Sequence, residues 1–131
     1  RFVDGRELAV SVLGGEALPV VEAIPQSGDS YDFEARYEIG RTSFVCPAQL
    51  GEAEAVAVAE AALGAYEALG CSGFSRVDLI LGPGGPQVLE VNAIPGLTDT
   101  SLLPQAAEAA GMSFERLVEK ILDLALAPAA A

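Results

Sequence analysis

The sequence predicts an α+β fold, a largely antiparallel sheet packed against helices, and three observations carry that expectation. Two short apolar runs, one from Phe74 to Leu81 and one from Val88 to Asn92, flank Gly82-Pro83-Gly84-Gly85-Pro86. Neither helix nor strand continues through such a run, because proline lacks a donor and glycine loses the most entropy on ordering, so the segment reads as a hairpin. The runs from Arg6 to Gly14 and from Ala17 to Ile24 read as a second hairpin around a Gly-Gly turn. Between the two hairpins, Glu52 to Leu69 (EAEAVAVAEAALGAYEAL) is built of strong helix formers.

The 131 residues are enough for one domain, or part of one, with a real apolar core; 51% are hydrophobic and 6% aromatic. The chain opens at Arg1 without an initiator methionine or leader, and a fragment is expected. A net charge of -12 argues against a nucleic-acid partner, since phosphate backbones are bound by basic surfaces. Arg36, Arg41 and Arg76 remain suitable for a phosphate-bearing small ligand. Cys46 and Cys71 have neither metal-ligand spacing nor a histidine companion, so reduced, buried thiols are expected ahead of a disulfide. No segment has the uninterrupted apolar length of a membrane span.

The central hairpin carries the chemistry. Strand side chains alternate faces, so Phe74, Arg76, Asp78 and Ile80 share one face and Ser75, Val77, Leu79 and Leu81 the other. On the return strand Val88, Glu90 and Asn92 are expected on one face, with Leu89 and Val91 opposite. A turn centred on Gly84 sets Asp78 against Glu90 and Arg76 against Asn92. Facing like charges destabilise a strand pair by a few tenths to about 1 kcal/mol when exposed, and by more when buried. Two carboxylates and an amide therefore call for a cation, and all-oxygen donors suit a hard ion such as magnesium better than zinc. The competing reading is the solvated face of an antiparallel sheet.

Elsewhere the chain supplies elements around this hairpin. Glu7 stands at the start of the first strand, either as an exposed strand-end carboxylate or as an acceptor for hydroxyl groups such as those of a ribose. Gln26 to Gly40 breaks the apolar pattern and reads as a surface loop or a functional flap, in which Arg36 either meets a phosphate or pairs with Asp32 or Glu34. The helix beginning at Glu52 places Val56, Ala59, Leu63, Tyr66 and Leu69 at helical spacing, with Val77, Leu79, Leu89 and Val91 as its expected seat and Gly70 as its C-terminal stop. Pro95-Gly96 suits a tight turn. Ser101 or Thr100 then caps a helix through Ala110, and Ser113 caps an amphipathic helix through Leu117, Ile121 and Leu124. A helix N-terminus directly after the carboxylate strand is a natural anion seat, although a serine there more often only caps.

Taken together, Arg76-Val-Asp78, Glu90-Val-Asn92, Pro95-Gly96-Leu-Thr98, Gly5-Arg6-Glu7, Tyr31-Asp-Phe-Glu-Ala-Arg-Tyr37, Cys46-Pro47-Ala48, Gly70-Cys71 and Ser101-Leu102-Leu103-Pro104 resemble the C-terminal half of the D-alanine-D-alanine ligases, within the ATP-grasp superfamily. The resemblance implies that residues 1–131 are a C-terminal ATP-grasp catalytic domain without its N-terminal domain and lysine-bearing subdomain, inactive alone or nearly so. It implies an ATP-dependent ligase that phosphorylates one D-alanine carboxylate and joins it to the amine of a second D-alanine, for peptidoglycan precursors. By position, Asp78, Glu90 and Asn92 would hold two Mg2+ ions, or Mn2+ in their place, between the phosphates of ATP. Arg76 would stabilise the acyl phosphate and the tetrahedral intermediate, and Gly96 would offer its N–H to the developing oxyanion. Ser101 and Leu102 would hold the carboxylate of the second D-alanine, Glu7 the ribose, and Arg36 a phosphate. Tyr37 matches the tyrosine that helps fasten the flap and favours D-alanine over D-lactate. A cytoplasmic enzyme, homodimeric at full length, is implied as well. The family usually has lysine where Arg36 stands and threonine where Ala93 stands. The alternatives are a D-alanine-D-lactate, D-alanine-D-serine or other ATP-grasp carboxylate-amine ligase, and a non-catalytic nucleotide-binding remnant.

Overall fold

The computed structural model describes residues 1–25 and 42–128. Arg36 and Tyr37, with the expected flap, lie outside them. The described residues form six strands and three helices: β1 (Arg6–Leu13), β2 (Glu16–Ala17), β3 (Val21–Pro25), β4 (Thr42–Val45), α1 (Glu52–Ala68), β5 (Phe74–Gly82), β6 (Gly85–Asn92), α2 (Leu102–Ala109) and α3 (Phe114–Leu126). The strands make one antiparallel sheet in the order β4-β3-β1-β5-β6, with β2 also paired to β1. The α+β expectation holds.

Period-two alternation on β1 and β5 builds two cores. Leu8, Val10 and Val12 stand beside Leu79, Val77 and Ser75 on one face and pack under Val58, Ala62 and Tyr66 of α1. The opposite face carries Ala9 and Leu13. Ala9 packs with Val21 and Ala106, and Leu13 with Leu103, Ala107 and Leu117 from α2 and α3. The sheet is thus covered by α1 on one side and by the α2–α3 pair on the other.

Helix ends follow their local chemistry. The Glu54 carboxylate accepts the Gly51 N–H at 3.0 Å and closes the start of α1. Gly70, at φ +66°, ends it: the Cys71 N–H reaches the Tyr66 carbonyl and the Gly70 N–H that of Glu67. In α3 the Ser113 hydroxyl accepts the Arg116 N–H at 3.2 Å, as a capping serine should.

Three sequence expectations are corrected. The strand expected from Ala17 to Ile24 is broken between β2 and β3, around Pro19, which has no N–H to give a ladder. On α1 the buried residues are Val58, Ala62 and Tyr66, whereas Val56 is 53% exposed and Leu69 is exposed too. In an alanine-rich helix several stripes are equally apolar, and the sheet selects one. The hairpin register also shifts between Asp78 and Leu79: Asp78 faces Glu90, but Leu79 faces Val88, leaving Leu89 as the extra residue. Leu89 is accordingly 58% exposed rather than seated under α1, and Val88 shares the face of Leu79 instead of that of Glu90. A further element, the edge strand β4, was not expected from the sequence.

Candidate active site

The face of the sheet turned away from α1 gathers polar side chains in three adjacent rows. Glu7 on β1 stands between Ala23 and Ile80; the next row sets Ala9 beside Asp78 and Glu90; the third sets Ser11 beside Arg76 and Asn92. Successive rows on one face are roughly 7 Å apart, so the three carboxylates, the arginine and the amide occupy one patch. The pairs Asp78–Glu90 and Arg76–Asn92 are those expected. They arise through two offsets that cancel: the turn is the two residues Pro83-Gly84 instead of being centred on Gly84, and the bulge at Leu89 restores the frame.

Arg76 answers part of the electrostatic question. Its Nε donates to Asp78 Oδ1 at 2.8 Å and its Nη2 to Asp78 Oδ2 at 3.0 Å, with side chains only 13% and 6% exposed. A guanidinium held in this two-point grip offsets one of the two facing carboxylates. The expected need for a cation is therefore met in part by the protein itself, through the pairing of Arg76 with Asp78. Among the described residues no group of three or more Asp, Glu, His or Cys side chains is placed to hold a metal. The donor set is two carboxylates and the Asn92 amide, all oxygen donors, and it fits a hard divalent cation by chemistry.

Asn92 Oδ1 accepts the Ile94 N–H at 3.1 Å, which turns the chain out of β6. The loop that follows is pinned at both ends. Leu97 packs against the cluster of Leu13, Leu103, Ala107 and Leu117. Ser101 Oγ accepts the Thr98 N–H at 3.1 Å and lies 2.7 Å from Thr98 Oγ1, while the Ser101 N–H reaches the Thr98 carbonyl at 2.9 Å. A Cβ on Gly96 would stand 2.8 Å from Ser101 Oγ, so glycine is what allows this closure. Ser101 is the N-cap residue of α2 but makes no side-chain cap hydrogen bond, since its hydroxyl turns into the loop. The first-turn amides of α2 are thereby left without a side-chain cap, at the end of the helix that follows the carboxylate strand.

Gly96, Ser101 and Leu102 are brought together at that helix start. Leu102 directs its side chain to the cluster of Ala9, Val21 and Ala106, which leaves its backbone as the part suited to a ligand. Thr98 had no role in the sequence reading. Its three-residue spacing to Ser101 was the available signal, because hydroxyl residues at that separation readily bond each other's backbone. Cys46 and Cys71 are both free thiols, and burial pushes the Cys46 thiol pKa up.

With this geometry in place, the family model described as "D-ala D-ala ligase C-terminus" matches residues 1–123. The chain belongs to that family. A D-alanine-D-alanine ligase from Methylacidiphilum infernorum is 49% identical over 124 residues, covering 94% of this chain and 41% of the relative. One from Synechococcus sp. (strain JA-2-3B'a(2-13)) is 48% identical over 127 residues, covering 96% of this chain and 39% of the relative. The crystal structure of the Bacillus anthracis D-alanine-D-alanine ligase complexed with ATP superposes with a TM-score of 0.82 at 34% identity, over 95% of this chain and 41% of that one. The chain thus spans about two fifths of the length of these ligases, and it corresponds to their C-terminal region.

Proposed function

We propose that this chain is the metal- and substrate-binding portion of an ATP-dependent D-alanine-D-alanine ligase serving peptidoglycan precursor synthesis. The observation that carries the reading is the facing of Asp78 and Glu90, with Arg76 and Asn92 one row away on the same sheet face. The family match over residues 1–123 supports it. In the reaction, a carboxylate oxygen of the first D-alanine takes the γ-phosphoryl group of ATP, releasing ADP. The amine of the second D-alanine attacks the acyl phosphate carbon, and the tetrahedral intermediate expels inorganic phosphate to leave the peptide bond.

Asp78, Glu90 and Asn92 are the residues that would hold two Mg2+ ions; such ions neutralise phosphate charge and align the transferring group. Arg76, already oriented by Asp78, presents its guanidinium beside the carboxylates, where it stabilises the acyl phosphate oxygens. The Gly96 N–H serves the oxyanion of the tetrahedral intermediate. The start of α2 at Ser101 and Leu102 takes the carboxylate of the second D-alanine, as helix N-termini favour anions. Glu7 accepts hydrogen bonds from the ribose, from its place on the same sheet face one row from Asp78 and Glu90. Arg36 and Tyr37 remain part of the proposal as phosphate and flap residues. The first D-alanine site and the adenine hinge belong to the part of the ligase outside this match, so this chain alone should turn over no ATP. The complete enzyme is read as a cytoplasmic homodimer.

The test is phosphate release from ATP and Mg2+ by the complete enzyme, with D-alanine, D-serine or D-lactate as acceptor. Release with D-alanine is expected, reduced at least about 100-fold by Glu90→Gln with the fold retained, and by Asp78→Asn with the fold retained at a lower melting temperature, because the ion pair to Arg76 is lost. Absence of release with all three acceptors would sink the ligase reading, and full activity of both variants would sink the metal assignment.

A further inference from the structure

Three hydroxyl groups meet at the start of α2. Thr98 Oγ1 lies 2.7 Å from Ser101 Oγ and 3.3 Å from Thr100 Oγ1, so the three oxygens form a chain with Thr98 in the middle. Both ends of that chain are tied to the helix: Ser101 is its N-cap residue, and the Gln105 side chain of α2 donates to the Thr100 carbonyl at 3.2 Å. Before it, Leu97 packs into the core and holds the loop. Thr98 itself is exposed, so packing gives its hydroxyl no task.

Hydrogen-bonding capacity supplies one. A hydroxyl has one hydrogen to donate and two lone pairs to accept with. One lone pair of Ser101 Oγ is taken by the Thr98 N–H at 3.1 Å. The 2.7 Å contact between the two hydroxyls runs in one of two directions. If Ser101 donates to Thr98, its only hydrogen is spent inside the loop. If Thr98 donates, both lone pairs of Ser101 are filled and its hydrogen is left to point out of the loop. A carboxylate at the helix start favours the second direction, because a charge-assisted hydrogen bond is roughly twice as strong as a neutral one. Thr98 can then accept from Thr100, which completes a run of donors from Thr100 through Thr98 and Ser101 to the carboxylate. In such a run each bond polarises and strengthens the next, by about 10–30%.

We infer that Thr98 is a positioning residue for the second D-alanine: by donating to Ser101, it turns the Ser101 hydrogen toward the substrate carboxylate. The inference rests on the ligase reading above, which seats that carboxylate at Ser101 and Leu102, and it adds a residue that acts without touching the substrate. The test is initial-rate kinetics of the complete enzyme with ATP, Mg2+ and D-alanine, resolving a separate KM for each D-alanine. Thr98→Val keeps the shape and the backbone N–H but has no hydroxyl. It should raise the KM for the second D-alanine about threefold to tenfold, with kcat, the KM for ATP and the KM for the first D-alanine within about twofold of the parent. Thr98→Ser restores the hydroxyl and should bring the raised KM back to within about twofold of the parent. In a Ser101→Ala background, Thr98→Val should add less than about twofold, because the hydrogen it directs is gone. An unchanged KM in Thr98→Val, an equal rise in Thr98→Ser, full additivity with Ser101→Ala, or a rise in all three KM values together would each overturn the inference. Absence of D-alanine-dependent phosphate release by the parent would remove the ligase reading and this inference with it. Release by a parent that is indifferent to the Thr98 hydroxyl would remove the inference alone.

Discussion

Arg6 holds Glu22 through two hydrogen bonds, Nε to Oε1 at 2.9 Å and Nη2 to Oε2 at 2.6 Å, and also reaches the Gln49 carbonyl. The hydrogen bond from Arg6 holds the Glu22 carboxyl below the ordinary glutamate range, against the opposing effect of its burial. A depressed folded-state pKa contributes stability above the unfolded value and loses it as pH falls through the folded one. Arg6→Met should therefore cost about 1 kcal/mol near neutral pH, a figure kept small because Arg6 is partly exposed. That difference should shrink in urea titrations as pH falls through and below the ordinary glutamate range. Ser75 presents the opposite case: its hydroxyl is buried on the α1 face and has no hydrogen-bond partner among the described residues. Removing an unsatisfied buried hydroxyl relieves its desolvation, so Ser75→Ala should leave stability unchanged or raise it by up to about 1 kcal/mol, read from the same titrations. Gly96→Ala forces Ser101 off Thr98, and a loss of about 1 kcal/mol in thermal or urea unfolding is expected.

At the scale of elements, α1 shows how packing chooses among equivalent stripes. Val58 is fully buried against β1 and β5, while Val56, two residues earlier, faces outward. Val58→Ala removes buried hydrocarbon and leaves a void, for about 2 kcal/mol; Val56→Ala should stay within about 0.5 kcal/mol. Equal losses at both positions in urea unfolding would place the helix differently on the sheet. On β6, the bulge at Leu89 lets a Pro83-Gly84 turn coexist with the Asp78–Glu90 pairing. Deleting Leu89 should disturb that pairing, because every residue from Gly85 to Val88 would then shift by one relative to Glu90 and Asn92, and a one-residue slip changes faces.

At the scale of the molecule, the sheet is a platform whose two faces have different tasks. The α1 face is closed by apolar packing, and the other is covered by α2 and α3 over Ala9 and Leu13 and also carries the Glu7, Asp78 and Glu90 rows, to which the proposed function assigns the chemistry. Among the described residues no helix is long and apolar enough to cross a membrane. On the proposed function, the site patch lies on this chain, but a chain spanning about two fifths of its relatives' length leaves much of the enclosure of two amino acids and a nucleotide to the rest. For this reason the isolated chain should show no D-alanine-dependent ATP turnover, and activity should appear only together with the remaining architecture. A phosphate-release assay on the isolated chain checks this, and turnover there would show that the described face suffices.

The sequence alone determined the three helices and the strands β1, β5 and β6, the hairpin pairing of Asp78 with Glu90, and the membership of Arg76, Glu90, Asn92 and Ser101 in one motif set, but not the edge strand β4 or the break between β2 and β3. Period-two and helical spacing are local properties, and turn residues such as Pro83-Gly84 and Gly70 act over a few positions. Tertiary structure decided the rest. It chose Val58 over Val56 because only the sheet distinguishes two stripes of an alanine-rich helix. It made Arg76 the counter-charge of Asp78 because strand pairing brings both under partial burial, where a two-point ion pair gains strength. And it turned the Ser101 hydroxyl from its helix to Thr98, because a loop anchored by Leu97 holds Thr98 within reach, a choice that the three-residue spacing permits but does not make between loop and helix cap.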